Sequence, residues 1–363
     1  MNRVGTISAL HVILLSMTVI GLKNHVTIIP SLLKGAGRDG WISVLLATAA
    51  IVPWLFLLVF IHKRSERAPL ADWLQQKIGK RPSTIIRYAV AVYFLIMAVF
   101  TMAETLQWIN STFLPNSPIP LMLLVYTILC IWLATTNLQT IVMVNAIVLF
   151  WVIILGFFVA LTNIQVKEYV LLLPILEHGL FPVVLSMVYP LSGFAELLLL
   201  LFIQHQVRDR FRFYHFAIML FILLGLTLGP LVGAITEFGP DEAMKQRYPA
   251  YEEWGLVSIG RFVEHLDFLS IYQWLTGAFV RVGLILYIVI DLLKLTGDRK
   301  RIWTIIGPAF FFMSASLFLF SDHLFLKIKG DYLLIATFVF LFSLAFFLWI
   351  VALAKSKSPS RQG

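Results

Sequence analysis

Residues 16–33 read SMTVIGLKNHVTIIPSLL, and residues 185–201 read LSMVYPLSGFAELLLLL. Each is an apolar run that is interrupted partway, by a glycine and later Pro30 in the first run, and by Pro190 and Gly193 in the second. Proline removes a helical hydrogen bond, and glycine tolerates non-helical backbone. Two interrupted helices at corresponding positions of two halves predict a site near the middle of a membrane.

The composition around these runs is that of a membrane protein. Of the 363 residues, 60% are hydrophobic and 13% are charged, with a mean hydropathy of +0.90. Apolar runs of about 20 residues can cross the hydrocarbon core as helices, and these runs do not alternate as barrel strands do. We predict a single all-α transmembrane domain of ten spans, at 6–32, 40–62, 84–113, 118–136, 139–162, 181–205, 213–237, 265–294, 302–321 and 331–354.

The basic residues lie in loops between the runs, so the net charge of +9 does not indicate nucleic-acid binding. With ten spans, the basic loops 63–87, 208–212 and 294–301 fall on the same side as the basic tail 355–363. The opposite loop, 237–267, is rich in Asp and Glu. Because basic loops stay in the cytoplasm, we predict that both termini are cytoplasmic.

Two loops and one cysteine have features of their own. The stretch 69–79 has helical periodicity, and it predicts a helix that lies along the inner membrane surface or packs under the bundle. The outer loop 238–266 is long enough to contain a short helix and to cap an entrance, although it could equally serve packing alone. The single cysteine, Cys130, excludes an internal disulfide and is expected to face lipid or the core.

Four ionisable residues fall inside the predicted spans: Lys23, Glu104, Glu196 and Arg281. Buried charges are costly in a membrane and often functional. At a rise of about 1.5 Å per residue, Lys23 and Glu104 share a depth in the outer half, and the other two lie near the middle. Two acids and two bases at matched depths predict charge pairing inside the bundle. The pairs could serve a site or only hold the helices in register, and the sequence leaves both open.

Further candidates face the predicted site from other spans. Gln107 lies one turn after Glu104, and we favour it over Tyr272 and Trp274, because aromatic residues near a span end are usually interfacial. The eight histidines show no metal-binding spacing, and no Ser-His-Asp order, phosphate-binding loop or dinucleotide motif occurs. The sequence therefore gives no support for an enzyme.

Several motifs together resemble the B subunit of bacterial spore germinant receptors, within the amino acid–polyamine–organocation superfamily. The glycine and proline breaks of the first run and YPLSGFAE at 189–196 are generic to the superfamily. More specific are AGRDGWIS at 36–43 and RFVEHLDFLSIYQWLTGAFVRVGLILY at 261–287, which includes Arg281. The resemblance covers nearly the whole chain.

The resemblance implies two inverted five-helix repeats, at about 6–162 and 181–354, with discontinuous helices 1 and 6 unwound around a ligand. It implies a receptor in the inner membrane of the spore that senses small nutrients such as amino acids without a cofactor or metal. It also implies two partners, a receptor A subunit and a lipoprotein C subunit. The implied ligand-binding residues are Ile20, Gly21, Leu22, Lys23, Gln107, Pro190, Leu191, Ser192 and Gly193.

The polar run Lys23-Asn24-His25 departs from the family, in which apolar residues usually follow the glycine. It indicates an altered ligand preference, such as an acidic or sugar-like nutrient, or a salt bridge between Lys23 and Glu104. Two other functions stay open. The chain could be an amino acid transporter driven by protons or sodium, with Glu104 or Glu196 as the proton carrier, or a ligand-opened conduit for ions or water.

Overall fold

A computed structural model of the chain describes residues 6–258 and 266–354. Eight helices in this part are long and apolar enough to cross a membrane. The shorter apolar helix Ile119–Ala134, and the π-helical Ile302–Ile306 followed by Gly307–Leu317, lie at the two remaining predicted spans. The prediction of an all-α protein with about ten spans is confirmed. The predicted tail at 355–363 and the start of the motif at 261–287 lie outside the described residues.

Six spans are continuous α-helices, and they end within a few residues of their predicted limits. They are span 2 at Gly40–Arg64, span 3 at Lys80–Thr112, span 4 at Ile119–Ala134, span 5 at Leu138–Thr162, span 7 at Phe213–Phe238 and span 8 at Leu269–Leu292.

Four spans change helix type along their length. Span 1 consists of Ala9–Val19, the π-helical Lys23–Thr27 and Ile29–Ala36. Span 6 consists of Leu180–Ser186, Val188–Phe194, the 3-10 turn Ala195–Leu198 and Leu199–Phe202. Span 9 consists of the π-helical Ile302–Ile306 and Gly307–Leu317, and span 10 of Asp322–Lys327, the π-helical Ile328–Leu333 and Leu334–Leu353.

The interruptions in spans 1 and 6 follow from their prolines. Pro30 lies in the first turn of Ile29–Ala36, where its missing N–H is not needed. Pro190 cannot donate to the carbonyl of Ser186, and the first helix of span 6 ends at that residue. Both helices are discontinuous, as predicted, but their backbone is not unwound. The Ile28 amide still donates to the Lys23 carbonyl at 3.1 Å, so the break is a widened turn and not an open strand.

Span 8 lies at the centre of the bundle and span 5 at its edge. In their most apolar stretches, 78% of residues are buried in span 8 and 22% in span 5. Span 8 packs against spans 3, 4 and 5. Cys130 of span 4 is fully buried and therefore faces the core.

Short helices cover both ends of the bundle. On the predicted inner side, Leu70–Ile78 buries Leu70, Trp73 and Leu74 and packs against span 3. It therefore lies under the bundle. On the outer side, Pro240–Ala243 and Pro249–Gly255 pack against span 7.

Candidate functional site

One carboxylate in the bundle is shared by two cations. Glu196, in the 3-10 turn of span 6, accepts from both terminal nitrogens of Arg281, at 2.6 and 2.9 Å. The Nζ of Lys23 lies 3.0 Å from the same carboxylate and also donates to the Ser192 carbonyl. Arg281 further donates to the carbonyl of Val19 and, through Nε, to Thr101. Glu196 thereby connects spans 1, 6 and 8.

A second ion pair lies between spans 3 and 10. The Nζ of Lys329 lies 2.6 Å from Oε1 of Glu104, and Oε2 of Glu104 accepts from Thr27 of span 1 at 3.0 Å. Lys329 lies outside the predicted span 10, which begins at residue 331. The helix begins at Asp322 and brings Lys329 into the bundle. The predicted salt bridge between Lys23 and Glu104 is wrong, since these residues pair with Glu196 and Lys329. The contact between Glu196 and Arg281 agrees with their matched depths.

These charges coincide with the changes of helix type. Lys23 and Lys329 lie in π-helical turns, and Glu196 lies in a 3-10 turn. A change in the number of residues per turn rotates the side chains that follow, and π-turns are frequent at functional sites. Gly330 permits a close approach to span 1, because a Cβ atom there would lie 2.8 Å from the hydroxyl of Ser31.

The five charged side chains surround a small cavity. Lys23, Glu104, Glu196, Arg281 and Lys329 are each at most 5% exposed, and all line it together with apolar and threonine side chains of spans 1, 3, 8 and 10. The cavity volume is about 30 Å³. Ligand pockets usually enclose about 300–1,000 Å³, so this one has room for little more than a water molecule. The site is therefore described in a closed state.

Most of the ligand-binding residues implied by the resemblance lie beside this cavity and do not line it. Leu22 and Lys23 are among its lining residues, whereas Ile20, Gly21, Pro190, Leu191, Ser192 and Gly193 are not. A Cβ atom on Gly21 would lie 2.7 Å from Leu226 of span 7, so this glycine serves packing. The Ser192 hydroxyl donates to the Tyr189 carbonyl. Gln107 accepts from Arg247 of the outer loop and is likewise not among the lining residues.

The polar run after Gly21 holds span 1 to two neighbours. Asn24 is wedged beside Gly193, where a Cβ atom would lie 1.8 Å from its Oδ1, and its Nδ2 donates to Thr227 of span 7 at 3.0 Å. A ring nitrogen of His25 lies 3.1 Å from the carbonyl of Leu226. Lys23, by contrast, points to span 6 and the cavity. Two of the three polar residues therefore fix span 1 against span 7, and one enters the site.

An aromatic cluster covers the outer end of the cavity. Trp274 of span 8, which lines the cavity, stacks on Trp108 of span 3 with ring centres 4.6 Å apart. From the outer loop, Tyr251 packs on Trp108 at 3.8 Å, and the edge of Tyr248 meets Trp274 at 4.7 Å. Burial raises the pKa of Tyr248 and of Tyr251 well above the usual range, so both phenols are neutral.

The outer loop is also held by charge. The Nζ of Lys329 lies 5.2 Å from the ring centre of Tyr248, at the distance of a cation–π contact. Arg247 donates to Gln107 and lies 3.2 Å from Asp322 at the start of span 10. We call residues 240–257, with their contacts to Trp108 and Trp274, the cap. The sequence placed Gln107 above the aromatic residues, but Trp274 lies closer to the site.

Comparisons with known proteins give the family. The sequence model of the family described as spore germination protein matches residues 6–325. Spore germination protein XB of Bacillus anthracis is 38% identical over 338 residues, which cover 91% of this chain and 94% of that protein. Spore germination protein A2 of Bacillus subtilis (strain 168) is 23% identical over 340 residues, with 90% of each chain covered.

The fold is also similar to that of a solved transporter. That structure is Mhp1, a nucleobase-cation-symport-1 family transporter in a closed conformation with bromovinylhydantoin bound. The TM-score is 0.55 at 12% identity, and the match covers 99% of this chain and 96% of that one. At this identity the likeness concerns the fold alone. The family match over most of the length and the close relative agree with the sequence motifs, and the chain belongs to the spore germination protein family.

Proposed function

We propose that this chain is the nutrient-sensing subunit of a spore germination receptor. Its ligand, a small nutrient such as an amino acid, binds in the charged cavity between spans 1, 3, 6, 8 and 10. Binding moves these spans, and the movement passes to a receptor A subunit and a lipoprotein C subunit. The membrane is the inner membrane of the spore, with both termini on the cytoplasmic side.

The observation that carries this proposal is the closed, charge-lined cavity at the helix breaks. Carboxylates, ammonium groups and a guanidinium are suited to the charged ends of a small nutrient, and burial strengthens such contacts. Because about 30 Å³ is too small for an amino acid, the ligand enters only when neighbouring elements move. A ligand that binds only the open arrangement shifts the population toward it, which is the requirement for a sensor.

The cap is the element whose movement opens the cavity from outside. It contacts the site through stacked rings and through the contact of Lys329 with Tyr248. It also contacts span 7 at Gly233, where a Cβ atom would lie 2.6 Å from Oε1 of Glu253. Displacement of the cap therefore changes the contacts of spans 3, 7, 8 and 10 together. Through these contacts, ligand binding can alter the outer surface of the bundle.

The first test measures retention of labelled amino acids by the purified chain in sealed liposomes, with and without an imposed proton gradient. We expect saturation near one ligand per protein and no effect of the gradient. Trp274→Ala, which alters the cavity wall, should weaken retention. The matched control is Trp132→Ala, because that side chain is 65% exposed and is not among the residues that line the cavity.

Three results would contradict the proposal in different ways. Accumulation far beyond one ligand per protein that collapses with the gradient would make the chain a transporter. An equal loss of ligand retention in the two tryptophan variants would show that the cavity is not the binding site. If none of the amino acids is retained, this subunit does not bind an amino acid on its own. The partner proposal is tested separately, by co-purification of the tagged chain with A and C subunits from spore membranes.

Secondary transport is the second candidate function, and the fold likeness to Mhp1 favours it. The same site and the same movement would serve both functions, since a transporter also closes over its substrate. The gradient arm of the liposome experiment separates them. We favour the sensor because the family and both relatives bear the names of germination proteins.

A further inference from the structure

The charges around the cavity do not balance. In the part of the chain that the structure describes, three cations and two carboxylates line it: Lys23, Arg281 and Lys329 against Glu104 and Glu196. With all five ionised, the cavity carries one excess positive charge. All five side chains are almost completely buried, so water screens this excess poorly.

The excess can be assigned to one side chain. Glu104 is paired with Lys329 at 2.6 Å, and Glu196 is held by two parallel hydrogen bonds from Arg281. Those two pairs are complete without Lys23. Lys23 is therefore a third cation that shares a carboxylate already occupied by a guanidinium, and it is one of the residues that line the cavity.

The net charge of the cavity decides between two chemical classes of ligand. A neutral amino acid brings an ammonium group as well as a carboxylate, so it leaves the excess unchanged, and both carboxylates of the site already have cationic partners. A ligand of net charge −1 cancels the excess. Its negative group would accept from the lysine, as buried charges require a partner of opposite sign.

We propose that this cavity takes an anion of net charge −1, a small monocarboxylate or an acidic amino acid, in preference to a neutral zwitterion, with Lys23 as the residue that sets the preference. The inference rests on the proposed function, because it names the ligand class of that same site. The shared chemistry is one uncompensated negative charge, which a halide ion also provides.

The experiment is calorimetric titration of the purified full chain in chloride-free detergent buffer. The probes are acetate and L-glutamate as carboxylates, chloride as the inorganic anion, and L-alanine as the zwitterion. We expect a carboxylate to bind at one per protein and at least about tenfold more tightly than L-alanine, from one unit charge acting over a few ångströms. Competition between chloride and the bound carboxylate shows that they share one site, and the relative affinities of the two anions distinguish a nutrient site from a site for the inorganic ion.

Three variants test the charge count itself. Lys23→Gln leaves the other two ion pairs intact and balances the cavity, so anion affinity should fall about tenfold to hundredfold and the preference over L-alanine should disappear. Lys23→Arg keeps the charge and should retain the preference. Glu104→Gln raises the excess to two, so anions should bind more tightly than to the original chain, a gain that loss of structure would not produce.

The outcomes test the preference for an anion separately from the proposed sensor function. Binding of L-alanine as tight as that of the carboxylates, or an unchanged preference in Lys23→Gln, overturns the charge argument and leaves the proposed sensor in place. Binding of chloride with exclusion of both carboxylates overturns the nutrient assignment. Binding of no probe overturns the charge argument, and if the liposome panel is also negative, the proposed function fails with it.

Discussion

Replacing Glu196 by glutamine tests whether one acid stabilises three spans. The substitution keeps the shape of the side chain and removes the charge, so Lys23 and Arg281 are left facing each other without a buried counter-ion. Leaving a buried charge uncompensated typically costs about 3–5 kcal/mol of unfolding free energy. Both cations at Glu196 lose their partner at once, so we expect Glu196→Gln to reach the upper end, about 5 kcal/mol.

The comparison variants remove one cation each. Lys23→Met leaves Glu196 bonded to Arg281, and Arg281→Met leaves it bonded to Lys23, so each should cost less than Glu196→Gln. Glu242→Gln is the control, since its carboxylate is largely exposed and its pair with Lys245 is worth at most about 1 kcal/mol. Unfolding is followed by denaturant titration in mixed micelles. A loss in Glu196→Gln no greater than in Lys23→Met would refute the shared-acid interpretation.

Three further predictions concern stability. Asp39→Ala removes the carboxylate that accepts two backbone N–H groups before span 6, at 2.8 and 3.0 Å, and should cost about 1–3 kcal/mol in denaturant titration; a neutral result would contradict this role. Gly193→Ala should cost about 1–3 kcal/mol because its methyl group collides with Asn24, whereas Gly225→Ala, with open space around it, should not; equal effects would count against the packing argument. Burial and a neighbouring carboxylate raise the pKa of Glu253 well above the usual 4.5, so the folded state retains a proton that the unfolded chain loses. Stability should therefore fall as pH rises above about 4.5, and Glu253→Gln should flatten this dependence in unfolding experiments between about pH 5 and pH 8; an unchanged slope would exclude Glu253 as the cause.

The spans were predictable because membrane helices need long apolar runs, and the run lengths are visible in the sequence. Hydropathy places a boundary by averaging, so it fails where a helix carries charge. Span 10 begins with Asp322 and contains Lys329, and the apolar signal appears only after these residues. The charged first turns were therefore assigned to a loop, and one of the five charges of the site was lost with them.

The pairing of charges was predictable only in part. A residue count gives the depth of a side chain in the membrane, but it does not give the direction in which that side chain points. Glu196 and Arg281 share a depth and also face each other. Lys23 and Glu104 were matched by a count of about 1.5 Å per residue, which assumes a regular α-helix. The π-turn that contains Lys23 changes the direction of its side chain, and Lys23 meets span 6 instead of span 3.

The shared carboxylate also constrains how the protein can be made. Spans enter the membrane in chain order, and at about 5–20 residues per second a ribosome needs roughly 9 to 35 s to travel from Lys23 to Glu196. During that interval the carboxylate that pairs with Lys23 is absent, and a lysine inside a membrane helix costs up to about 2.5–3.5 kcal/mol of insertion free energy. Arg281 arrives later still, so a chain truncated before span 8 would carry Lys23 and Glu196 without their guanidinium.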